Sequence, residues 1–281
     1  MKWTPDTKAG PRGYLVEPEE FQTLEITMPA DGVALITLNR PHKLNAFNTE
    51  MIGEIRAAMW RMNYDERVRV IVITGKGRGF CAGRDVEELR GERGMPLPHY
   101  RAYVRANHEM LDDFEAIEKP VIAAINGICA GGGIELAASC DFRFASDAAT
   151  FLLPEIFIGV IPASGACSRM IPMVGIENVK DMVMTGRTVD AHEIREMRFV
   201  RRVAAADKLM EEVLAYAKLL MKGAPLAIGI GKHITNTCQN IDTDSGRMLE
   251  RLAQSSLVGS TDSTEGVKAF IEKRAPNFTG R

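Results

Sequence analysis

The sequence predicts an α/β fold, a spiral of ββα units followed by a C-terminal helical region. Three apolar segments, Val68 to Thr74, Val121 to Ile125 and Phe142 to Ala145, are typical of buried strands. Each runs into a turn, a second short apolar stretch or glycine-rich loop, and then a helical pattern. Beyond Val203 the hydrophobic spacing is almost wholly helical. The units share too little sequence to count as a repeat by sequence alone.

The first elements precede the spiral. Val33 to Leu38 is a short β-branched run that stops before Pro41, so it predicts a strand. Asn48 is a predicted N-cap, because apolar residues recur after it at helical spacing. Those residues are Met51, Ile52, Ile55, Ala58, Met59 and Met62. The sequence therefore predicts a helix that packs through one face.

Turn residues divide the second and third units. The strand ending at Ile125 meets Asn126-Gly127, a second strand is predicted at Ile128 to Ala130, and a helix at Ile134 to Ser139. The third unit turns at Ser146-Asp147 and resumes at Thr150 to Leu153. The pattern of a longer strand, a turn and a shorter strand is thus used again.

The domain organisation follows from composition. Residues 1–20 are rich in Pro, Gly and charge and predict a flexible N-terminal extension. Residues 21–200 hold the ββα core, and residues 201–281 form the helical region, including an amphipathic helix from Leu209 to Met221 and another containing Gly266 to Ile271. Because no low-complexity linker separates the two parts, the second is predicted to be an added layer.

Composition excludes several classes of protein. The 281 residues carry 35 Lys plus Arg against 37 Asp plus Glu, so no basic field indicates a nucleic-acid partner. Hydrophobic residues make up 46%, which suits a large core rather than disorder. Five cysteines without a CxxC pair indicate neither a disulfide framework nor a zinc site.

No membrane segment is predicted. The longest apolar uncharged stretch, Pro120 to Ile134, is shorter than the roughly 20 residues that a spanning helix needs. The N-terminus lacks an apolar signal core and contains acidic residues that a transit peptide avoids. We therefore expect a cytoplasmic protein without a membrane partner.

Familiar catalytic motifs are missing from the sequence. The glycine cluster from Gly75 to Asp85 has GxGxG spacing, whereas a dinucleotide site needs GxGxxG opening into a helix. Gly231-Lys232 is followed by His233 rather than Ser or Thr, and Ser164 lies in PASGA rather than GxSxG. The five histidines show no HExxH spacing, so no metal site is predicted.

Two glutamates and three glycines form a more specific pattern. Gly131-Gly132-Gly133 precedes a predicted helix, and backbone amides at a helix N-terminus attract negative charge. Close helix packing explains two glycines better than three. Glu135 and Glu155 both lie in apolar sequence, where a carboxylate is costly unless it is exposed, paired or used. Either one alone suits a structural role, but the pair around an anion site favours catalysis.

Five segments together resemble the crotonase superfamily of acyl-CoA enzymes, in order and spacing from about residue 22 to 278. They are RPHKLNAFN (40–48), GFCAGRDVEEL (79–89), INGICAGGGIELAASCDFRFAS (125–146), FLLPEIFIGVIPASGA (151–166) and EGVKAFIEKRAPNF (265–278). The resemblance implies a crotonase-type spiral whose C-terminal helices support trimers, usually paired into hexamers. It implies an acyl-CoA substrate of which CoA is a part, and no metal or redox cofactor.

The resemblance also implies an oxyanion hole. By motif position its two donors are the backbone amides of Arg84 and Gly132, which would hold the thioester oxygen as it gains charge. Family members that hydrate enoyl-CoA use two glutamates, and Glu135 and Glu155 match both positions. Glu135 is expected to help deprotonate a water for attack at Cβ, and Glu155 to deliver a proton to Cα.

The leading hypothesis is therefore an enoyl-CoA hydratase. Isomerisation, thioester hydrolysis or C–C bond hydrolysis are alternatives, because one oxyanion hole serves them all. A non-catalytic acyl-CoA binder or scaffold is a third class, and a nicotinamide-dependent dehydrogenase is a remote fourth.

The resemblance assigns the CoA contacts as well. Lys43, Leu44 and Ala82 are expected at the adenine end, with Asp85 in the same binding set. Phe270 and Lys273 are the other two residues that the resemblance assigns to CoA binding. They would come from a neighbouring subunit and contact the pantetheine or phosphates. A solvated surface charge is an equally good interpretation of each lysine.

This chain departs from the family pattern at two places near the acyl group. The family commonly has a small residue at position 84, and an arginine side chain would narrow the pocket or recognise an anionic acyl group. Residues 90–105 are expected to cover the acyl end of the pocket. A further departure is the loss of the family's glycine from Glu193 to Val203.

Overall fold

The computed structural model describes residues 20–92 and 94–281. The N-terminal extension predicted over residues 1–20 lies outside these residues, apart from Glu20. The division into a core and a helical region remains a prediction from the sequence.

Two sheets and twelve α-helices make up the described chain. The strands are β1 Leu24–Ala30, β2 Val33–Leu38, β3 Val70–Gly75, β4 Gly79–Cys81, β5 Val121–Ile125, β6 Ile128–Ala130, β7 Phe142–Ser146, β8 Thr150–Leu152, β9 Val189–Asp190 and β10 Arg202–Ala204. The helices are α1 Thr49–Tyr64, α2 Val86–Glu92, α3 Leu97–Ala116, α4 Gly132–Ser139, α5 Ala166–Arg169, α6 Ile171–Val174, α7 Ile176–Thr185, α8 Ala191–Glu196, α9 Leu209–Leu220, α10 Pro225–Cys238, α11 Thr243–Leu257 and α12 Thr261–Ile271. Short 3₁₀ helices occupy Pro41–Lys43 and Pro154–Ile158.

The strand order confirms the predicted spiral of ββα units. The larger sheet has the order β1-β2-β3-β5-β7-β10, antiparallel between β1 and β2 and parallel elsewhere. The smaller sheet has the order β4-β6-β8-β9. Each unit gives its longer strand to the first sheet and its shorter strand to the second, and helices close the turn of the spiral.

Element boundaries differ slightly from those predicted. β3 begins at Val70 rather than Val68, because the Val68 amide bonds the carbonyl of Asp65 in a turn. β7 extends to Ser146, and β8 ends at Leu152. α4 begins at Gly132, two residues before the predicted start.

The central strands β3 and β5 of the larger sheet are buried on both faces, which explains why they are almost wholly apolar. Alternate residues such as Ile71 and Ile73 face the main core, where α1 contributes its predicted apolar face. Asn48 caps α1, accepting a hydrogen bond from the Met51 amide. On the opposite face Val70 and Val72 pack under α9.

The last three helices, α10 to α12, follow the last strand. α10 and α11 pack on each other, and α10 is tied to the core by Lys232, whose ammonium lies 2.9 Å from the Asp141 carboxylate. In the described part of the chain no single helix combines the length and apolar composition of a membrane span. α9 and α10 meet both criteria only as a pair, and they join at a bend of 104°.

Candidate active site

The three glycines at the start of α4 each have different close neighbours. Gly131 has φ 50°, and a Cβ there would lie 2.5 Å from Oε1 of Glu155. A Cβ on Gly133 would lie 2.2 Å from the carbonyl oxygen of Cys81, so this glycine lets α4 pack on β4. Gly132 lies between them and faces the Gly83 backbone. Helix packing and room for a carboxylate thus both contribute to the run of glycines.

The Arg84 and Gly132 segments lie in backbone contact. A Cβ on Gly83, which has φ 88°, would come within 2.9 Å of the Gly132 nitrogen. Phe47 pairs with Arg84 as an isolated bridge, donating to the Gly83 carbonyl at 2.7 Å and accepting from the Asp85 amide at 2.8 Å. Because successive amides alternate in direction along an extended chain, the Arg84 amide points away from Phe47.

Neither of these two amides has an acceptor within residues 20–92 and 94–281. Arg84 and Gly132 are partly buried, and two unpaired backbone N–H groups on adjacent segments are able to donate to an external oxygen. This geometry suits stabilisation of a developing oxyanion.

Glu135 lies in the first turn of α4 and is only 4% exposed. Its Oε1 accepts hydrogen bonds from the Ser164 amide at 2.5 Å and the Ala166 amide at 3.2 Å. Burial raises the pKa of the Glu135 carboxyl, while these two hydrogen bonds and the charges of His108 and Arg169 lower it. The carboxylate form is therefore held in a fixed orientation by donors on one oxygen.

An arginine holds the loop that carries those two donors. Arg169 donates to the Ser164 carbonyl at 3.0 Å, and its guanidinium bonds Asp112 at 2.5 Å and Glu115 at 2.8 Å on α3. Gly165 has φ 127°, and a Cβ there would lie 2.2 Å from Nη1 of Arg169. The glycine thus lets the guanidinium lie directly against the loop.

Glu155 lies in the 3₁₀ helix that follows β8. Burial, together with the smaller effect of the Glu135 charge, raises the pKa of its carboxyl to about 7, although a hydrogen bond from its own amide lowers it. Its Oε2 is buried and has no hydrogen-bond partner among the described residues. The two glutamates therefore differ, because Glu135 is held by two amides and Glu155 is not. Such a difference is what an acid and a base working together require.

The Arg84 side chain turns to the helices that follow it. Its Nη2 lies 2.7 Å from Glu92, donates to the hydroxyl of Tyr103, and is 3.7 Å from Glu88. The guanidinium also lies 5.5 Å from the centre of the Tyr103 ring. Two carboxylates thus compensate its charge, which disfavours recognition of an anionic acyl group. Among residues 90–105, residues 90–92 end α2 and residues 97–105 form the first half of α3.

The residues assigned to CoA fall in two places. Leu44 and Ala82 are adjacent, because the Ala82 amide bonds the Leu44 carbonyl at 3.0 Å. Lys43 pairs with Glu87 at 2.9 Å, and the carboxylate of Asp85 is engaged by Arg40 at 2.9 Å. These four residues lie beside the backbone segment that contains Arg84.

The other two assigned residues belong to the C-terminal helix α12. Phe270 lies near its end and is 86% exposed, and Lys273 follows it in a left-handed conformation with φ 54°. Both are accessible to a second copy of the chain.

Sequence reasoning missed the groups that surround Glu135. They are the amides of Ser164 and Ala166, the guanidinium of Arg169 and the imidazole of His108 on α3. The only signal was Ser164 in PASGA, which was tested as a nucleophile motif. Its residues contribute backbone donors instead.

The described residues hold no group of three or more His, Cys, Asp or Glu side chains that could bind a metal ion. The five cysteines are free thiols. Burial raises the pKa of Cys81 and Cys140 to about 12, so they are expected to remain protonated.

The fold and this paired-glutamate site define a crotonase-type acyl-CoA enzyme. A model of the enoyl-CoA hydratase/isomerase family matches residues 29–281. The chain belongs to that family.

Individual relatives agree with this assignment. A protein of Mycobacterium bovis named "probable enoyl-CoA hydratase" is 36% identical over 249 residues, covering 89% of this chain and 95% of the relative. A crystal structure of an enoyl-CoA hydratase from Bacillus anthracis superposes with a TM-score of 0.87 at 31% identity, covering 92% of this chain and 100% of that one.

A relative from Dictyostelium discoideum is 35% identical over 249 residues, covering 88% of this chain and 87% of the relative. It is named "probable enoyl-CoA hydratase, mitochondrial". A cytoplasmic location therefore stays a prediction from the sequence alone.

Proposed function

We propose that this protein is an enoyl-CoA hydratase, which adds water across the double bond of a trans-2-enoyl-CoA to give a 3-hydroxyacyl-CoA. The observation that carries the proposal is the contact of Glu155 with Gly131. Gly131 lies next to Gly132, whose amide is free, and at the start of the helix turn that holds Glu135. An acid, a base and an anion site thus meet at one helix end.

The oxyanion hole would act on the thioester. The amides of Arg84 and Gly132 donate to the thioester oxygen, which gains negative charge as the enolate forms. Fixed donors need no reorganisation during the reaction, and loss of one such donor typically costs about 10²–10³-fold in rate. The same donors draw electrons from Cβ and prepare it for attack.

The two glutamates would activate the water and supply the proton. The Glu135 carboxylate accepts a proton from water while the water oxygen forms a bond to Cβ. The electrons of the double bond move to the thioester as an enolate, and Cα then takes a proton from the Glu155 carboxylic acid. A pKa of about 7 keeps a useful fraction of Glu155 protonated at neutral pH. No metal or redox cofactor takes part.

The CoA moiety would lie along the edge formed by Lys43, Leu44, Ala82 and Asp85. We propose that a second copy of the chain completes the site through Phe270 and Lys273, in a trimer or a dimer of trimers. Large apolar side chains beside Glu155 support an oligomer, since Phe157 is 70% and Ile161 is 64% exposed.

The test is a turnover assay on a panel of short, long, branched and aromatic enoyl-CoAs, following loss of the conjugated thioester absorbance. Glu135→Gln and Glu155→Gln should each lose about 10²–10⁴-fold in kcat while the enoyl-CoA still binds. Glu177→Gln, at an exposed position on α7, is the matched control.

Each outcome points to one function. Near wild-type turnover in either active-site variant would remove that glutamate from the mechanism. If no enoyl-CoA of the panel lost its absorbance while CoA esters still bound, the result would favour an isomerase, a hydrolase or a non-catalytic binder instead.

A further inference from the structure

Arg84 takes part in the candidate site through its backbone and, separately, through its side chain. Its amide is one of the two proposed oxyanion donors. Its guanidinium lies in a polar cluster with Glu88, Glu92 and Tyr103, which we call the Arg84 cluster. The hydration steps use only the amide. A role for the side chain rests on the proposed function, because that function requires the donor.

The peptide unit between Gly83 and Arg84 sets the direction of this donor. Among the described residues every peptide bond is trans, so the Arg84 N–H points opposite to the Gly83 carbonyl. The Phe47 amide donates to that carbonyl at 2.7 Å. Gly83 has φ 88° and no side chain that could anchor it. The side chain nearest to the donor nitrogen is therefore that of Arg84 itself.

The guanidinium of Arg84 is held by two helices. On α2 it lies 2.7 Å from Glu92 and 3.7 Å from Glu88. On α3 it donates to the hydroxyl of Tyr103 and lies 5.5 Å from the centre of that ring. The Arg84 and Glu92 side chains are only 19% and 11% exposed, so salt screens their ionic hydrogen bond weakly. These contacts fix the side chain, and with it the Cα that adjoins the donor nitrogen.

Glu88 connects the Arg84 cluster to the segment that pairs with Arg84. Its carboxylate accepts hydrogen bonds from the Thr49 amide at 2.9 Å and from the Thr49 hydroxyl at 3.1 Å. Thr49 begins α1 and lies two residues after Phe47. The donor peptide is thus held from two sides, by Phe47 through the backbone and by the cluster through the Arg84 side chain.

The part of the chain that carries the cluster has few apolar contacts of its own. None of the described residues between 86 and 109 is buried. Val86 and Leu97, at the starts of α2 and α3, are 66% and 71% exposed. A segment with so few buried apolar contacts depends on polar contacts for its position. The Arg84 cluster is the contact that joins this segment to the donor peptide.

We propose that the Arg84 side chain is a positioning residue, which anchors the oxyanion peptide on α2 and α3 and keeps its N–H directed at the thioester oxygen. The guanidinium touches no reacting atom in this role and acts through the backbone of its own residue. A variant that lacks the side chain keeps the amide but no longer holds it in place. The number of donors stays the same, and their alignment worsens.

The first test uses the full chain with trans-2-butenoyl-CoA as substrate. In Arg84→Ala kcat should fall by about 10-fold, because the donor is misaligned but present, and loss of a whole donor costs about 10²–10³-fold. KM should hardly change, since the interaction strengthens in the transition state. Tyr103→Phe removes only a hydroxyl, so it should fold normally and show a smaller fall. Arg84→Lys, which keeps the charge, should recover part of the rate.

Arg56→Ala is the matched control. Arg56 lies on α1 and also joins another helix to α3 through two carboxylates, those of Glu109 and Asp113. Its side chain is 28% exposed, which is comparable to that of Arg84, but it does not contact the donor peptide. This variant should keep the kcat of the wild type.

A second measurement reports on the donor directly. Butanoyl-CoA, isotopically labelled at the thioester carbonyl carbon, cannot be hydrated, and hydrogen bonds to its oxygen lower the infrared carbonyl stretch. The frequency should be lowered on binding to wild type and should lie closer to that of free butanoyl-CoA in Arg84→Ala. Adding Tyr103→Phe to Arg84→Ala should change it no further, because both substitutions remove the same contact.

The outcomes separate this role from the reaction itself. The proposal is overturned if the stretch in Arg84→Ala equals that in wild type, or if Arg56→Ala loses as much kcat as Arg84→Ala. No lowering of the stretch in wild type would remove the oxyanion hole and the proposal with it. A lowered stretch that depends on Arg84, in a protein that hydrates no enoyl-CoA, would support the positioning role and remove only the proposed function.

Discussion

The backbone amide of Ser164 donates a hydrogen bond of 2.5 Å to Oε1 of Glu135, across 29 positions of sequence. With the Ala166 amide on the same oxygen, it holds a buried carboxylate in one orientation. Glu155 has no such donors from the loop, and burial raises the pKa of its carboxyl to about 7. The two carboxyls therefore differ in their hydrogen bonds, although burial raises the pKa of both.

The rate should depend on pH through Glu155. A general acid works only when protonated, so kcat/KM should fall as the pH rises through about 7. The measurement is kcat/KM for a short enoyl-CoA from pH 5 to 9. In Glu155→Asp the descending limb should move, because the shorter side chain meets different surroundings. A flat profile above pH 7 would exclude Glu155 as the acid.

Stability should depend on pH in a related way. Because the folded-state pKa of Glu155 lies above its unfolded value, its contribution is complete below about pH 4.3 and is lost as the pH rises through about 7. Glu155→Gln cannot ionise, so it should melt higher than wild type at pH 8. At pH 4 the two proteins should melt alike. Thermal unfolding at both values, with Glu177→Gln as control, checks this.

Gly131→Ala should impair catalysis beyond its effect on folding. The new Cβ would lie 2.5 Å from Oε1 of Glu155, at a positive φ that costs about 1–3 kcal/mol for a side chain. Gly175→Ala has the same kind of strain, with φ 83° and nothing within 4 Å. Both variants should lose stability in denaturant unfolding, but only Gly131→Ala should lose turnover. Equal activity in the two would contradict the contact.

Arg169→Gln should disturb Glu135 indirectly. Losing the bond to the Ser164 carbonyl frees the loop, and a misplacement of about 1 Å can cost about 10²-fold in rate. Removing the positive charge also raises the pKa of Glu135, so the low-pH limb of kcat/KM should shift to higher pH.

Arg187→Gln is the control for that variant, because Arg187 forms a comparable double ion pair with Asp181 and Glu193. It should leave the profile unchanged. A loss of rate in Arg169→Gln without any shift of the limb would mean that the arginine supports the fold alone.

Local patterns were enough to predict most strands of the ββα units, but β1 and the 20-residue helix α3 were not predicted. The conformation of an apolar run such as Val121–Ile125, or of a turn such as Asn126-Gly127, can be predicted from a few neighbouring residues. The predicted start of β3 was wrong by two residues because Val68 bonds Asp65 in a turn, a contact that apolar composition does not encode. The family motifs also drew attention to Glu135 and Glu155.

The sequence by itself determined the ββα spiral, the run of glycines at the start of α4 and the choice of the two glutamates, since each rests on short-range periodicity or an ordered motif. Only the tertiary structure decided what surrounds Glu135, where α3 brings His108 and the loop beyond β8 brings Ser164 and Arg169. It also decided the raised pKa of Glu155. Burial and charge at a site depend on packing between distant segments, and no local pattern specifies that packing.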